Sequence, residues 1–318
     1  MSTKVIIYMP ALNEGPTIKK ILLSVPKRID IISDIELLVI DDGSTDNTVS
    51  EAKEAGATVI SHNSNKGVGS AFHTALNYAL KQGADILVSI DADGQFDVDQ
   101  INKMISPLLN NKADFSIGNR FNSGRPQGMP KLKYWGNNRI SKIVSFVSKI
   151  EIKDASCGFR AYSKDCLFNL NLDGSFTYTH EAILDLANKG YRVAQIPVNV
   201  LYFEDRVSRV ASSLTRYALK TSSIIFKCLK DYKPLHFFGS IALVISLIGI
   251  ILCGFVLTYW ISTGSITPYK SVGIFGLALV GMSLILAVYA LMADMLGRIR
   301  NNQEKILYFQ KKQYFENN

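Results

Sequence analysis

The stretch ILVSIDADGQF, Ile86 to Phe96, sets Asp91 and Asp93 one residue apart at the end of an apolar, β-branched run. In an extended chain residues two apart point to the same face, so both carboxylates converge on one spot. Two adjacent anions oppose each other's ionisation. A hard divalent cation resolves the conflict, because Mg²⁺ or Mn²⁺ takes oxygen ligands and commonly joins one or two carboxylates to substrate phosphates. The amide oxygen of Gln95, two residues further on, is a third candidate donor. The competing reading is a solvated, Asp-rich turn.

Other polar groups stand in comparable places. Asp41 and Asp42 form a second acidic pair in VIDDGSTDNT, with Ser44 or Thr45 available to cap a following helix. Carboxylates at such a place suit hydrogen bonds to a ribose or a base. Pro10, Asn13 and Glu14 of PALNEG would line the same crevice from the first loop. The stretch KGVGSAF, Lys66 to Phe72, lacks the third glycine of a dinucleotide fingerprint and follows the third strand rather than the first. It reads instead as a phosphate-tolerant glycine turn opening a helix, with Lys66 at hand.

These residues need a scaffold that gathers loops along one edge. Apolar strand candidates KVIIYM, IELLVI, ATVI, DILVSI and DFSIG alternate with helical stretches starting near Thr17, Thr45, Gly69 and Val98. That succession predicts an α/β fold, Rossmann-like, with a mostly parallel sheet and helices on both faces. Ligands of such sheets gather at the carboxyl ends of the strands, where all the motifs above fall. A less regular section follows from Gly128 to Asn199: a basic helical run, PKLKYWGNNRISKIVSFVSKI, then DASCGFRAYS, a helix around HEAILDLANKG and a strand RVAQIPVNV.

Of the 318 residues, 47% are hydrophobic. The excess lies in two runs, Leu235 to Ile261 and Val272 to Leu296, each longer than the roughly 20 apolar residues that span a hydrocarbon core. Neither has a polar stripe, so both are read as transmembrane helices forming a C-terminal hairpin. Seven Lys or Arg against one acid lie between Arg206 and Lys233, and five against two between Arg298 and Asn318. Those flanks exceed the formal net charge of +8 by themselves. The globular part is therefore near neutral, which argues against a nucleic-acid partner, and the positive-inside rule places both flanks in the cytoplasm. The N-terminal apolar stretch is too short for a signal peptide, and four cysteines without ligand spacing read as cytosolic thiols. The expected domains are 1–210, globular; 211–234, an amphipathic helix on the anionic leaflet; 235–297, two membrane helices; and 298–318, a basic tail. Glycines 249, 254, 273, 276 and 281 permit close helix contact and hence a homo-oligomer.

Taken together, PALNEG, DDGSTDNT, NKGVGSA, DADGQF, GNRF and DASCGFRAYS resemble the family-two glycosyltransferases of the GT-A fold. With the two C-terminal apolar runs and MLGRI, the chain is similar to the polyprenyl-phosphate glycosyltransferases, the group of dolichol-phosphate mannose synthases and bactoprenol glucosyltransferases. The resemblance implies that Asp91, Asp93 and Gln95 serve Mg²⁺ or Mn²⁺ and a diphosphate, and that Pro10, Asn13, Glu14, Asp41 and Asp42 form the nucleotide pocket. It also implies an acceptor-phosphate group of Arg120, Arg139, Ser141, Arg206, Ser208 and Arg209, of which the last three match the relatives' Arg-rich signature only loosely. Cys157 stands where relatives carry a small polar residue. Asp154 is implied as an orienting group or general base, against the simpler reading of a loop carboxylate paired with Arg160. Glu181 is a candidate sugar contact, and His180 a local hydrogen-bonding group, no second histidine sitting at a ligand spacing.

The expected activity is inverting transfer from a nucleotide-sugar, UDP-linked by the likeness of the two-helix tail to bacterial relatives, to a polyprenyl phosphate such as dolichyl or undecaprenyl phosphate. An alternative is transfer to a hydroxyl acceptor, although the Q-x-x-R-W signature of processive synthases is absent. A third is a non-catalytic membrane scaffold that binds nucleotide-sugars.

Overall fold

A computed structural model of the chain describes residues 3–26, 32, 34–172, 178–202, 223, 226, 230 and 234–316. The chain forms two units, Met1–Ile225 with Ile306–Asn318, and Phe226–Lys305. In chain order the first contains β1 (Lys4–Ala11), α1 (Gly15–Ser24), β2 (Asp34–Asp41), α2 (Thr48–Glu54), β3 (Thr58–Ser61), α3 (Val68–Lys81) and β4 (Ile86–Ser89). There follow a 3₁₀ turn at Val98–Gln100 running into α4 (Ile101–Leu109), then β5 (Phe115–Asn119), α5 (Lys131–Ser148), β6 (Arg160–Ser163), α6 (Lys164–Asn169), α7 (Thr179–Asn188) and β7 (Val193–Pro197).

All seven strands lie in one sheet, ordered β3-β2-β1-β4-β6-β5-β7. Pairing is parallel throughout except at β6, which is antiparallel to both β4 and β5. The sheet is thus mostly parallel, as expected, but β6 inside DASCGFRAYS is an element the sequence does not announce. Its four residues are too few to show an alternation. The reversal has a consequence for function: the segment entering β6, Asp154–Phe159, arrives at the same edge from which the parallel strands leave.

Alternate residues of the strands serve two cores, as a period of two requires. On one face Val5, Ile7 and Met9 of β1 meet Ile18, Ile21 and Leu22 of α1 and Ile101, Met104 and Ile105 of α4. On the other, Tyr8 tilts against Phe72 of α3, and Phe72 stacks on Tyr178 with ring centroids 3.9 Å apart and planes 1° from parallel. Tyr162 of β6 joins the same aromatic group. The helix N-terminus expected near Thr45 lies at Thr48, because Ser44 and Thr45 are engaged with Asn13. The N-cap position is Asn47, whose side chain makes no cap bond; Asp46, one residue earlier, accepts Thr48 N at 3.1 Å and closes the turn into the helix. Within this unit the chain's last turns also dock on α6 and the residues after it: Tyr308 donates to Asp165 at 2.6 Å, and Lys311 Nζ reaches Leu170 O and Asn171 Oδ1.

The second unit contains an apolar helix, Pro234–Thr263, and the apolar part of another, Lys270–Glu316. Both are long and apolar enough to cross a membrane, with mean hydropathy of 2.8 and 2.4 in their richest windows. Only 11% and 17% of those windows are buried, unlike the core helices of a soluble protein. The two helices approach closely at Gly249 and Gly276. A Cβ at Gly249 would lie 2.8 Å from Gly276 O, and one at Gly276 2.8 Å from Cys253 Sγ. These two glycines, expected to serve an oligomer, are used inside the hairpin. Asp294 pairs with Arg298 one turn on, at 3.0 Å. The expected juxtamembrane helix at 211–234 lies almost wholly outside the described residues.

The stacked aromatic layer should dominate the stability of the first unit. Replacing Phe72 with Ala is expected to cost about 3–5 kcal/mol, whereas Leu23→Ala, at an exposed position, should change stability by no more than about 0.5 kcal/mol. Chemical unfolding of the full chain in detergent, followed by near-ultraviolet circular dichroism, measures both.

Candidate active site

The loops after β1, β2, β3, β4 and β5 and the segment entering β6 share one edge of the sheet. Asp91 and Asp93 follow β4 and are partly buried. Burial first, and the Asp93 carboxylate second, push the Asp91 carboxyl up to about 7. Arg120 and Arg160 pull it back and Glu14 adds to the rise, so Glu14 shares the pocket. Asp93 Oδ1 accepts Gln95 N at 3.0 Å, which closes the turn and sets the two carboxylates. Gly158 packs directly against Asp91, where a Cβ would lie 2.8 and 2.9 Å from its carboxylate oxygens. The absence of a side chain there gives Asp91 its place.

Across the crevice Arg120, at the end of β5, forms a bidentate pair with Asp154, Nε to Oδ2 at 2.7 Å and Nη2 to Oδ1 at 2.9 Å. Arg120 N also donates to Asp154 Oδ2, at 3.2 Å. Asp154 is fully buried and both of its oxygens are engaged. It does not pair with Arg160. That guanidinium is buried too, and donates to the carbonyls of Cys157, Thr179 and Ala155. Arg160 therefore shapes the loop while Asp154 orients Arg120. Arg120 Nη1 reaches Tyr202 Oη at 3.5 Å, and Lys133 Nζ of α5 sits 5.3 Å from the Tyr202 ring centre.

Lys133 is the site residue that sequence reasoning missed. Burial and the nearby Arg120 push its ammonium pKa down, while Asp93, Asp91 and Asp154 oppose the change. Its position in PKLKYW carries the signal, a lysine one helical turn from Asn137 in a basic run. Arg139 is exposed and stacks on Trp135 at 5.3 Å. Ser141 is buried, with Oγ accepting Ala155 N at 3.0 Å. Two residues apart on a helix, they point to different faces, and the structure does not bring them together. Arg206, Ser208 and Arg209 lie outside the described residues.

The candidate nucleotide residues form a connected framework. Asn13 donates its N–H to Ser44 Oγ and accepts Thr45 N, both at 2.8 Å, tying the first loop to the second. Asp41 Oδ1 accepts Ser44 N. Asp42 accepts the N–H groups of Lys66 and Gly67 at 2.9 and 2.8 Å, and His62 lies 2.8 Å from the same carboxylate. Asp42 thus holds the glycine turn, and the Lys66 side chain is exposed. Pro10 is half-buried at the end of β1. Glu181 is half-buried in the first turn of α7. His180 is a local partner as expected: its Nε2 lies 3.1 Å from Ser156 Oγ, and burial pushes its pKa down to about 3, so it is neutral. Cys157 is buried against Gly118, with its thiol pushed up to about 12 by burial, and packs as a small apolar group.

Among the described residues no three His, Cys, Asp or Glu side chains group as a ready-made metal cage. The pair Asp91 and Asp93 still fits a hard divalent cation, since such ions keep open positions for phosphate oxygens. Burial and the neighbouring Asp93 disfavour the ionised form of Asp91, which a bound cation would favour.

A strand-edge crevice with acids on one wall and cations on the other, on a mostly parallel sheet interrupted by one reversed strand, defines a GT-A-type transferase domain. Among solved structures the fold is similar to glucosyl-3-phosphoglycerate synthase from Mycobacterium tuberculosis in complex with UDP, with a TM-score of 0.57 and 20% identity over 71% of this chain and 80% of that one. The model of glycosyl transferase family 2 matches residues 6–168, half of the chain, and the chain belongs to that family and is a glycosyltransferase. It is 29% identical to UDP-N-acetylglucosamine--dolichyl-phosphate N-acetylglucosaminyltransferase of Methanococcus voltae, over 66% of this chain and 90% of the relative. It is also 28% identical to glycosyltransferase AglJ of Haloferax volcanii, over 95% and 96%. Polyprenol monophosphomannose synthase of Mycolicibacterium smegmatis matches 58% of this chain and 74% of its own length at 27% identity.

The two walls should respond to mutation in opposite ways. Asp154→Ala strands a buried guanidinium and is expected to lower stability by about 3–5 kcal/mol. Asp93→Ala, which removes repulsion from Asp91, should leave the melting temperature in EDTA unchanged or raised. Thermal unfolding of both variants checks this; an equal fall for Asp93→Ala would contradict the arrangement.

Proposed function

We propose that the chain transfers a sugar from a nucleotide-sugar, UDP-linked, to a polyprenyl phosphate at the surface of a bilayer, with inversion at the anomeric carbon. The observation that carries the reading is the juxtaposition, in one crevice, of the Asp91–Asp93 pair with Arg120 and Lys133. Such a site answers to two phosphorylated substrates, one requiring a cation bridge and the other a cationic cradle. The names of the relatives support a polyprenyl-phosphate acceptor. The UDP complexes of the fold neighbours, some with Mn²⁺, support the donor and the ion. The two apolar helices support residence in a membrane, and their basic flanks support a cytoplasmic catalytic domain with both termini on that side.

Asp91, Asp93 and Gln95 would hold Mg²⁺ or Mn²⁺, which when bound neutralises charge on the departing diphosphate. Asp41, Asp42, Asn13, Glu14 and Pro10 would frame the nucleoside, with Lys66 at the glycine turn and Glu181 toward the sugar. Arg120 and Lys133 would hold the acceptor phosphate and offset the repulsion between two anionic substrates. An oxygen of that phosphate bonds to the anomeric carbon on one side as the bond to the diphosphate oxygen breaks on the other. The acceptor is already ionised, so no proton needs removing. Asp154, with both oxygens committed to Arg120, is assigned the orienting role rather than that of a base.

Membranes carrying the protein, given a panel of nucleotide-sugars and polyprenyl phosphate, are expected to form a lipid whose mass equals the acceptor plus one sugar and whose sugar–phosphate bond is acid-labile. A product of retained configuration, or sugar found only on a hydroxyl, would sink the reading. Activity should vanish in EDTA and in Asp93→Ala, and return with Mn²⁺ in the wild type alone. Lys133→Ala should lower kcat by about 10²–10³, the scale of losing one charge-stabilising group, with the melting temperature little changed.

A further inference from the structure

We propose that the outward face of α5 lies on the headgroup layer of an anionic lipid bilayer. This rests on the reading that the chain resides at a membrane, and names a contact surface of the catalytic unit itself. A helix on a water-facing surface turns its polar side out and its apolar side in; α5 instead buries three polar residues beside two valines and leaves its largest apolar side chains outside. Its buried positions are Asn137, Ser141, Val144, Val147 and Ser148, two of them fixed by hydrogen bonds: Ser141 Oγ accepts Ala155 N, and Ser148 Oγ accepts Ile150 N. Leu132, Trp135, Ile143 and Phe146 are left 58%, 57%, 42% and 78% exposed. At about 100° per residue these four, with Arg139, fall within an arc of roughly 80°. Among the described residues from 3 to 202 only Leu23 and Leu201 are other large exposed hydrophobics, so the exposure is concentrated rather than scattered.

Charge selects the occupant. The helix carries Lys131, Lys133, Arg139 and Lys142 and no Asp or Glu. Arg139 lies in the middle of the apolar stripe, over the Trp135 ring, and Lys131 and Lys142 run along one border of it. Tryptophan and arginine beside exposed Leu, Ile and Phe match a surface that is apolar below and negatively charged at the top. A second copy of the chain would, in a two-fold contact, bring the same cations against one another.

Trp135 and Trp260 are the two tryptophans of the chain, so single-tryptophan variants report each position. Full-length Trp260→Phe protein, reconstituted into phosphatidylcholine vesicles with and without phosphatidylglycerol, is compared with lipid brominated on the upper acyl chain. Trp135 emission is expected to shift to the blue and lose most of its intensity to brominated lipid, more so with phosphatidylglycerol. Arg139→Gln with Lys142→Gln, or high salt, should restore much of it. Emission characteristic of water, untouched by bromine, would overturn the proposal, as would blue-shifted emission that bromine leaves alone, the signature of a protein partner or a second copy. The Trp135→Phe variant separates the two readings. Quenching at Trp260 without quenching at Trp135 defeats the α5 surface alone, whereas quenching at neither defeats membrane residence as well.

Discussion

The site is organised around an electrostatic conflict that its own residues do not remove. Asp91 and Asp93 share one turn, and burial together with mutual repulsion drives the Asp91 carboxyl far above the ordinary carboxylate range. Carboxylate pairs of this kind cluster at sites that a ligand or ion completes. Arg120 is close enough to help, yet it is committed to Asp154 through two short bonds. Burial and the neighbouring carboxylate therefore disfavour ionisation of Asp91, while Arg120 is held in place by its pair with Asp154. On the proposed reading, that arrangement sets a pair of acids and a guanidinium held in place by its own ion pair on either side of a crevice for two phosphorylated substrates.

The fold maintains this separation by reversing a single strand. Six parallel strands, β1 to β5 and β7, deliver their following segments to the edge in the usual way of open α/β sheets. Were β6 parallel like the others, the segment preceding it would lie at the opposite edge, and Asp154 could not meet Arg120. Gly158 belongs to that segment as well, and only its lack of a side chain lets the backbone close on Asp91. Arg160, the first residue of β6, spends its guanidinium on three carbonyls of the surrounding loops. Reversal, glycine and buried arginine act together to bring one further segment to a crevice that parallel topology alone would leave without Asp154.

Much of this was legible in the residues. The strands of the first half alternate or run apolar over whole lengths, and the acids that follow them stand out because charge at the end of a buried run is costly. The two apolar helices announce themselves by length. The β6 reversal was hidden, since four residues carry no period and the antiparallel direction depends on partners far away in sequence. Two assignments on α5 depended on rotation about the helix, which a motif read in one dimension does not display: Arg139 and Ser141 look adjacent in the sequence and face apart, while Lys133 looks peripheral and turns inward. The pairing of Asp154 with Arg120 rather than Arg160 has the same origin, because proximity in the chain favoured the wrong arginine.

Helix α5 shows how a single element can carry incompatible demands on separate faces. Its inner side mixes polar residues with Val144 and Val147 where a core helix would be apolar throughout, because Ser141 and Ser145 hold the backbone of the segment that contains Asp154, through Ala155 N and Ile152 N. Lys133 leaves from near its first turn toward Tyr202 and Arg120. With Asn137, Ser141 and Ser148 taking inward positions beside only two small apolar residues, Val144 and Val147, the helix's larger apolar side chains lie outward. In water that exposure would be a liability; against a bilayer the same residues lower the free energy of contact. The composition of the outer face follows from that of the inner one, and the stripe and the inward-turned Lys133 occur on the same eighteen residues.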